Sequence, residues 1–354
     1  MTNYKINCSL SPNTHANLYS RGMLKTYMKT NKLILFFIVI FFLSLAFVTF
    51  FVKLAFAYDY QIIELETFGG RDSDAIDIND AGYVVGSADA NVNEPHACLW
   101  INGKANNLGF RTAEGINNKN QIVGSNDAIP GNAVLWERNK ITVLDKGQSD
   151  AIKINDDGQI VGHTSPSLRY WNATLWSGEI VTDLTYPLND RSSIANSINN
   201  NGEIVGFSSL TYDKLRHATL WRNGKAILLN DLKDIESEAF DTNNSGDVVG
   251  GIRKEDGKDY AILWSKGKDK ILGKGTAWGI NDKGVVVGFS SSGNQRALMW
   301  VNGVEIELKS LIDPKLGWDL KRANAINNSG QIVGTGHFNG HFRGFLMTPR
   351  KTAN

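Results

Sequence analysis

His337 and His341 stand four residues apart, a spacing that would present two imidazoles to one metal ion on a helix. Asn339-Gly340 lies between them and opposes a helix, which argues against a metal pair. Asp80, Asp156 and Asp282 occupy polar turns, where carboxylates raise the question of calcium. The alternating D-x-D-x-D-G loop is missing, and Asn replaces Asp in four equivalent turns, so turn chemistry is the better account. No Walker or dinucleotide fingerprint, G-x-S-x-G elbow or H-E-x-x-H motif occurs, and no metal or cofactor is expected. Catalytic residues are therefore unassigned. Recognition chemistry is better represented: Tyr170 and Trp171, Tyr212 and Arg216, Arg253, and the His337–His341 segment supply aromatic rings and guanidinium groups suited to carbohydrate or protein contacts.

These residues sit in a repeated frame. The pattern Ala-x-x-(Ile/Thr)-Asn-(Asp/Asn)-x-(Gly/Asn)-x-(Ile/Val)-Val-Gly begins at Ala75, Ala113, Ala151, Ala195, Ala239, Ala277 and Ala323, at spacings of 38, 38, 44, 44, 38 and 46 residues. Its fifth position is always Asn: Asn79, Asn117, Asn155, Asn199, Asn243, Asn281 and Asn327. Three residues later stands Gly, or once Asn120, where a bulged turn needs positive φ. The preceding Asn is suited to cap that turn through its side chain. The first six copies continue into Ala-x-(Leu/Met)-Trp, ending at Trp100, Trp136, Trp176, Trp221, Trp264 and Trp300. Recurrence of the same indole in every copy reads as packing between units rather than as sugar-stacking platforms.

A period near 40 residues with strand-like composition points to a propeller or a β-solenoid. Each unit reads as four strands, with Asn102-Gly103, Asn223-Gly224 and Asn302-Gly303 as hairpin turns into the fourth. The fourth-strand pattern also occurs at Gln61–Leu65, before the first repeat, whereas the last repeat stops at Pro349 without one. The expected fold is all-β, a seven-bladed β-propeller of four-stranded blades closed by the N-terminal strand completing the last blade. Loops from second to third strands and between blades then share one face, and they carry these aromatic and guanidinium candidates. His163, after a strand glycine, is expected to point toward the mouth of the ring.

Composition sets the surroundings. Hydrophobic residues make up 42% of the 354-residue chain, and two cysteines cannot make a disulfide scaffold. Residues 1–57 hold six Lys/Arg and no Asp or Glu, leaving 31 basic and 36 acidic residues in 58–354, a net charge near −5. That balance disfavours nucleic acid as a partner. Residues 33–52 are almost unbroken apolar sequence, preceded by basic residues and followed by Ala55-Phe56-Ala57. This is the layout of a signal peptide or, if uncleaved, of a membrane anchor, and either exports the propeller, residues 58–354.

The units resemble the extracellular HAF repeat family, named for a His-Ala-Phe tripeptide. The resemblance spans roughly residues 60–349 and is strongest from Leu311-Ile312-Asp313-Pro314-Lys315-Leu316-Gly317-Trp318 through Ala325-Ile326-Asn327 to Leu346-Met347-Thr348-Pro349. His survives at His96 and His217, and Phe at Phe345. The resemblance implies a secreted bacterial repeat protein and no catalytic residues. Three functions remain open at this stage: a binding module using the loop face, with an extracellular glycan or protein as ligand; an extracellular lyase or hydrolase at the central channel; and a structural envelope protein.

Overall fold

The computed structural model describes residues 60–350 apart from 92–93, 130, 167–169, 186–191, 210–214, 230–234 and 292. The leader segment and Tyr212 lie outside the described residues. Seven four-stranded antiparallel sheets form the blades of a β-propeller. The first blade runs β2 (Ser73–Ile78), β3 (Val84–Asp89), β4 (Pro95–Ile101) and β5 (Lys104–Asn107) from the channel outward, and five blades repeat that order. In the seventh, β26 (Asp319–Ile326), β27 (Ile332–Phe338) and β28 (His341–Pro349) are followed by β1 (Tyr60–Glu64), which pairs antiparallel with β28 from Tyr60 opposite Pro349 to Glu64 opposite Phe345.

The core lies between blades. Both faces of each sheet are covered, so Ala97, Cys98, Leu99 and Trp100 are buried on consecutive positions. All six repeated tryptophans pack against the preceding blade: Trp100 meets Ala325, Val333 and Leu346 of the seventh, Trp221 meets Val161 and Ala173 of the third, and Trp264 meets Val205, Ala218 and Leu220 of the fourth. Trp136 does the same but is only half-buried.

The first strand of every blade carries a β-bulge immediately after its repeated alanine. The bulge swings the carbonyl of the residue before the alanine onto the glycine that ends the motif. A Cβ on Gly206 would stand 1.9 Å from the oxygen of Ile194, and the other six glycines are as crowded. Only hydrogen fits there, which explains why this glycine recurs although it lies in an ordinary strand.

Two closed circles of hydrogen bonds ring one end of the channel. In the inner circle, Asn79 Nδ2 donates to the carbonyl of Asn117, Asn117 to Asn155, Asn155 to Asn199, Asn199 to Asn243, Asn243 to Asn281, Asn281 to Asn327 and Asn327 back to Asn79, at 2.9–3.1 Å. Each of these Asn side chains also caps its own turn, as when Asn117 Oδ1 accepts from the amides of Lys119 and Gln121. The outer circle links the next residues: the Asp80 amide donates to Asn118 Oδ1, and the series runs through Asp156, Asn200, Asn244, Asp282 and Asn328 back to Asp80 Oδ1. No two of its three carboxylates are neighbours. Every Asp is flanked by asparagines whose Nδ2 groups donate to its second oxygen.

Two predictions follow from these contacts. Gly206→Ala is expected to cost at least about 3 kcal/mol, because backbone itself must move. Gly224→Ala, in a roomy turn at φ 70°, is expected to cost about 1 kcal/mol, as read from urea midpoints. Asn118→Asp would place three carboxylates side by side and remove two donors. It should lose about 1–2 kcal/mol at pH 7, with most of the difference from wild type gone at pH 3. A loss unchanged by pH would mean that charge alternation is irrelevant.

Candidate functional site

A wider cavity lies toward the opposite end of the channel. The bulge re-aims one residue per blade, the one after the repeated alanine, and a side chain displaced in this way commonly serves a site. Those residues are Ile76, Glu114, Ile152, Asn196, Phe240, Trp278 and Asn324, and all seven line a single cavity of about 330 Å³. Asp74 and Arg322 line it from the position before the alanine. The volume falls in the range of small-ligand sites.

Its floor is polar. Asp77, Lys153, Ser197 and Asp241 line both this cavity and a smaller one of about 140 Å³ that the asparagine circles surround. Lys153 Nζ lies 2.8 Å from Asp77 Oδ1. Burial opposes the charge on Lys153, but Asp77 and Asp241 overcome it and hold its pKa above the ordinary lysine value. Asp241 accepts from Ser197 Oγ at 2.7 Å and from the Ile280 amide at 3.0 Å, while burial still raises its pKa. Asp77 likewise accepts from the Ile116 amide at 3.0 Å. The bridge ties the first, third and fifth blades and divides the channel.

Two acids of the wall, Asp74 and Glu114, are joined by Asp150 of the next blade, which acts on Glu114 without lining the cavity. Glu114 is pushed up to about 7, first by burial and then by the charges of Asp150 and Asp74. Asp150 is raised to about 6 by burial. Asp74 is raised by burial too, against a hydrogen bond from Thr335 and the charge of Arg322. Opposite stand Phe240 and Trp278, ring centroids 6.1 Å apart, with Trp278 braced edge-on by Phe289. Asn324 Nδ2 donates to the Ala75 carbonyl at 2.7 Å and toward Asp74, which leaves its buried Oδ1 without a partner. Arg322 Nε is also buried and unpartnered. Clustered perturbed acids in a concave site are a functional signature.

The residues singled out from sequence distribute around this mouth. Arg216 and Arg253 come together in an adjoining pocket of about 300 Å³, which shares Phe240 as a wall with the channel cavity. Glu236 lies between them, at 3.8 Å and 3.9 Å, and each has a closer partner: Glu238 at 2.8 Å for Arg216 and Asp259 at 2.9 Å for Arg253. Tyr170 and Trp171 stand at the third blade, half-buried, and Trp171 meets His163 edge-on at 4.3 Å. His163 faces Trp171 and is not among the residues that line the channel cavity; burial lowers its pKa to about 4. In the seventh blade His337 pairs with Phe342 and Phe338 with His341, so the two imidazoles leave opposite faces of a hairpin. Phe338 stacks on Trp318 at 4.5 Å. Among the described residues, no three His, Cys, Asp or Glu side chains converge closely enough to hold a metal ion.

Glu114, Phe240, Trp278, Asn324 and the floor residues were not singled out from sequence. A signal existed: the position after the repeated alanine reads Ile, Glu, Ile, Asn, Phe, Trp, Asn inside an otherwise constant motif.

No protein-family profile matches the chain, and no curated protein does either. Solved structures similar to it include TolB from Acinetobacter baumannii, at 12% identity over 81% of this chain and 66% of that one, TM-score 0.45. An acylaminoacyl peptidase from Pyrococcus horikoshii matches at 18% identity over 69% of this chain, TM-score 0.48, and this chain spans only 47% of its length. YCF48, solved bound to a D1 peptide, matches at 10% identity over 83% of this chain and 97% of that one, TM-score 0.49. These likenesses are of fold alone.

The acid wall has a thermodynamic consequence. Because folding raises the Glu114 pKa from 4.5 to about 7, the folded state favours the protonated form. The penalty is absent below pH 4.5, grows through pH 7 and is complete above it. Glu114→Gln is expected to stabilise the protein by about 2–3 kcal/mol at pH 8 and to change little at pH 4, measured by denaturant titration. Equal effects at both pH values would show that the carboxyl is not under electrostatic stress.

Proposed function

We propose that the chain is an exported propeller that acts as a binding module, its ligand held in the wide-mouth cavity of the channel. The observation that carries this reading is the convergence of all seven bulge residues on one cavity while their identities differ from blade to blade. A purely structural ring has no need of Trp278, Phe240, Asn324 and Glu114 at positions that Gly or Ala could fill. The adjoining pocket with Arg216 and Arg253 extends the surface for a longer ligand, carbohydrate or protein. Export rests on the basic and apolar leader and on the resemblance to HAF repeat proteins.

A second reading, a hydrolase or lyase acting on an extracellular polymer, is favoured by one specific observation. Glu114 is poised near neutrality beside Asp150, as an acid–base pair would be. The purified protein should be screened for binding to glycans and cell-envelope components with product analysis in parallel. Saturable binding without turnover, weakened about tenfold or more by Trp278→Ala, is the expected result. Turnover lost in Glu114→Gln would replace the module with the enzyme. Binding indifferent to Trp278 in a folded variant would move the site away from the cavity.

A further inference from the structure

The cavity has a charge it does not balance, and this deepens the binding reading, on which the inference rests. Four carboxylates line it, Asp74, Asp77, Glu114 and Asp241, against two cations, Lys153 and Arg322. Lys153 serves Asp77 and Asp241 at the floor, and Arg322 acts on Asp74 through its charge and stands 5.9 Å from the Trp278 ring centroid. Neither is among the groups acting on Glu114, whose surroundings are Asp74 from the first blade, Asp150 from the third and the Thr112 hydroxyl on its own strand. A half-buried carboxylate facing two others lacks a positive partner. The buried Asn324 Oδ1 is a further acceptor that no protein donor reaches, and such a group is costly to leave unpaired.

The missing partner is organic rather than inorganic on two grounds. The acids do not converge on a point that a metal ion could occupy. The remaining wall is Phe240 and Trp278, whose rings attract cations through their faces and cover an apolar body. We propose that the wide-mouth cavity binds a small protonated amine, its ammonium donating to Glu114 and its body lying against Phe240 and Trp278. An anion is repelled by the excess of carboxylates, and a neutral sugar leaves Glu114 without a cation. The amine can come from an amino sugar, a free diamine or a lysine side chain, all of which share this chemistry.

The test is calorimetric titration of the purified full chain with glucosamine, 1,5-diaminopentane and a blocked lysine, and with N-acetylglucosamine as the uncharged control. At least one amine should bind, N-acetylglucosamine at least about tenfold more weakly, and affinity for the diamine and the lysine, whose amines stay protonated, should rise from pH 6 to pH 8 as Glu114 gives up its proton. The amine that binds most tightly identifies the source. Glu114→Gln, which is expected to fold at least as well as the wild type, should weaken amine binding about tenfold and abolish the pH dependence. Equal affinity for glucosamine and N-acetylglucosamine, or amine binding untouched by Glu114→Gln, would overturn the proposal. A neutral ligand that needs Trp278 while no amine binds would also overturn it but leave the cavity reading standing. No binding of any kind would remove both.

Discussion

The structure depends on one close approach, repeated seven times: a carbonyl oxygen resting on a glycine Cα across the first two strands of each blade. Without it the strands would pair in register, and the residue after the repeated alanine would lose its place at the channel. With it, that residue becomes the extra member of a bulge, free of the ladder and turned into the lumen. The contact separates two tasks within a dozen residues. Alanine, glycine and asparagine hold the blade, and the residue between them is left to vary. Bulges commonly cost regularity; here each is secured by a glycine that has no alternative and an alanine that is wholly buried.

Closure by asparagine follows from the same economy. A buried amide has two donors and an acceptor to satisfy, and the ring satisfies the acceptor and one donor with backbone groups that every blade possesses. The side-chain oxygen turns back onto its own turn, and the Nδ2 reaches the next blade. The circle has no first or last member, so loss of one amide strands a carbonyl in its neighbour. The outer circle adds charge under a restriction. With seven positions at most three carboxylates avoid being adjacent, and three is the number present, at Asp80, Asp156 and Asp282. Alternation lets each carboxylate accept from amides on both sides, so the ring holds negative charge without placing two charges together.

The frame was legible in the sequence because it repeats. Seven asparagines, six tryptophans and a glycine after each asparagine at a period near 40 residues carried blade number and strand count, and Asn120 at φ 61° shows why the single departure from glycine was tolerable. The site was not legible for the converse reason. Glu114, Phe240 and Trp278 break no pattern that a linear motif search detects, and they meet only because the ring brings the second, fifth and sixth blades to one axis. The candidates drawn from loop chemistry fared unevenly on the same logic. Arg216 and Arg253 lie on adjacent blades and share a pocket, whereas His337 and His341, close in sequence, are separated by the pleat of a hairpin. The transferable rule is to align the repeats first and then read the columns that vary.

The channel shows where the molecule holds energy in reserve. Lys153 bridges to Asp77 across the floor, a buried pair that close-packed apolar residues could replace without loss of stability. Glu114, Asp74 and Asp150 are held above their ordinary pKa values at the wall, which favours protonation and opposes the ionised fold. Neither feature serves the propeller as a scaffold, since the tryptophan contacts and asparagine circles hold the blades elsewhere. Stability surrendered by acids at a concave place is what a ligand of complementary charge would restore on binding. The fold therefore places its electrostatic stress in the wider cavity of the channel, away from the end that its asparagine circles ring.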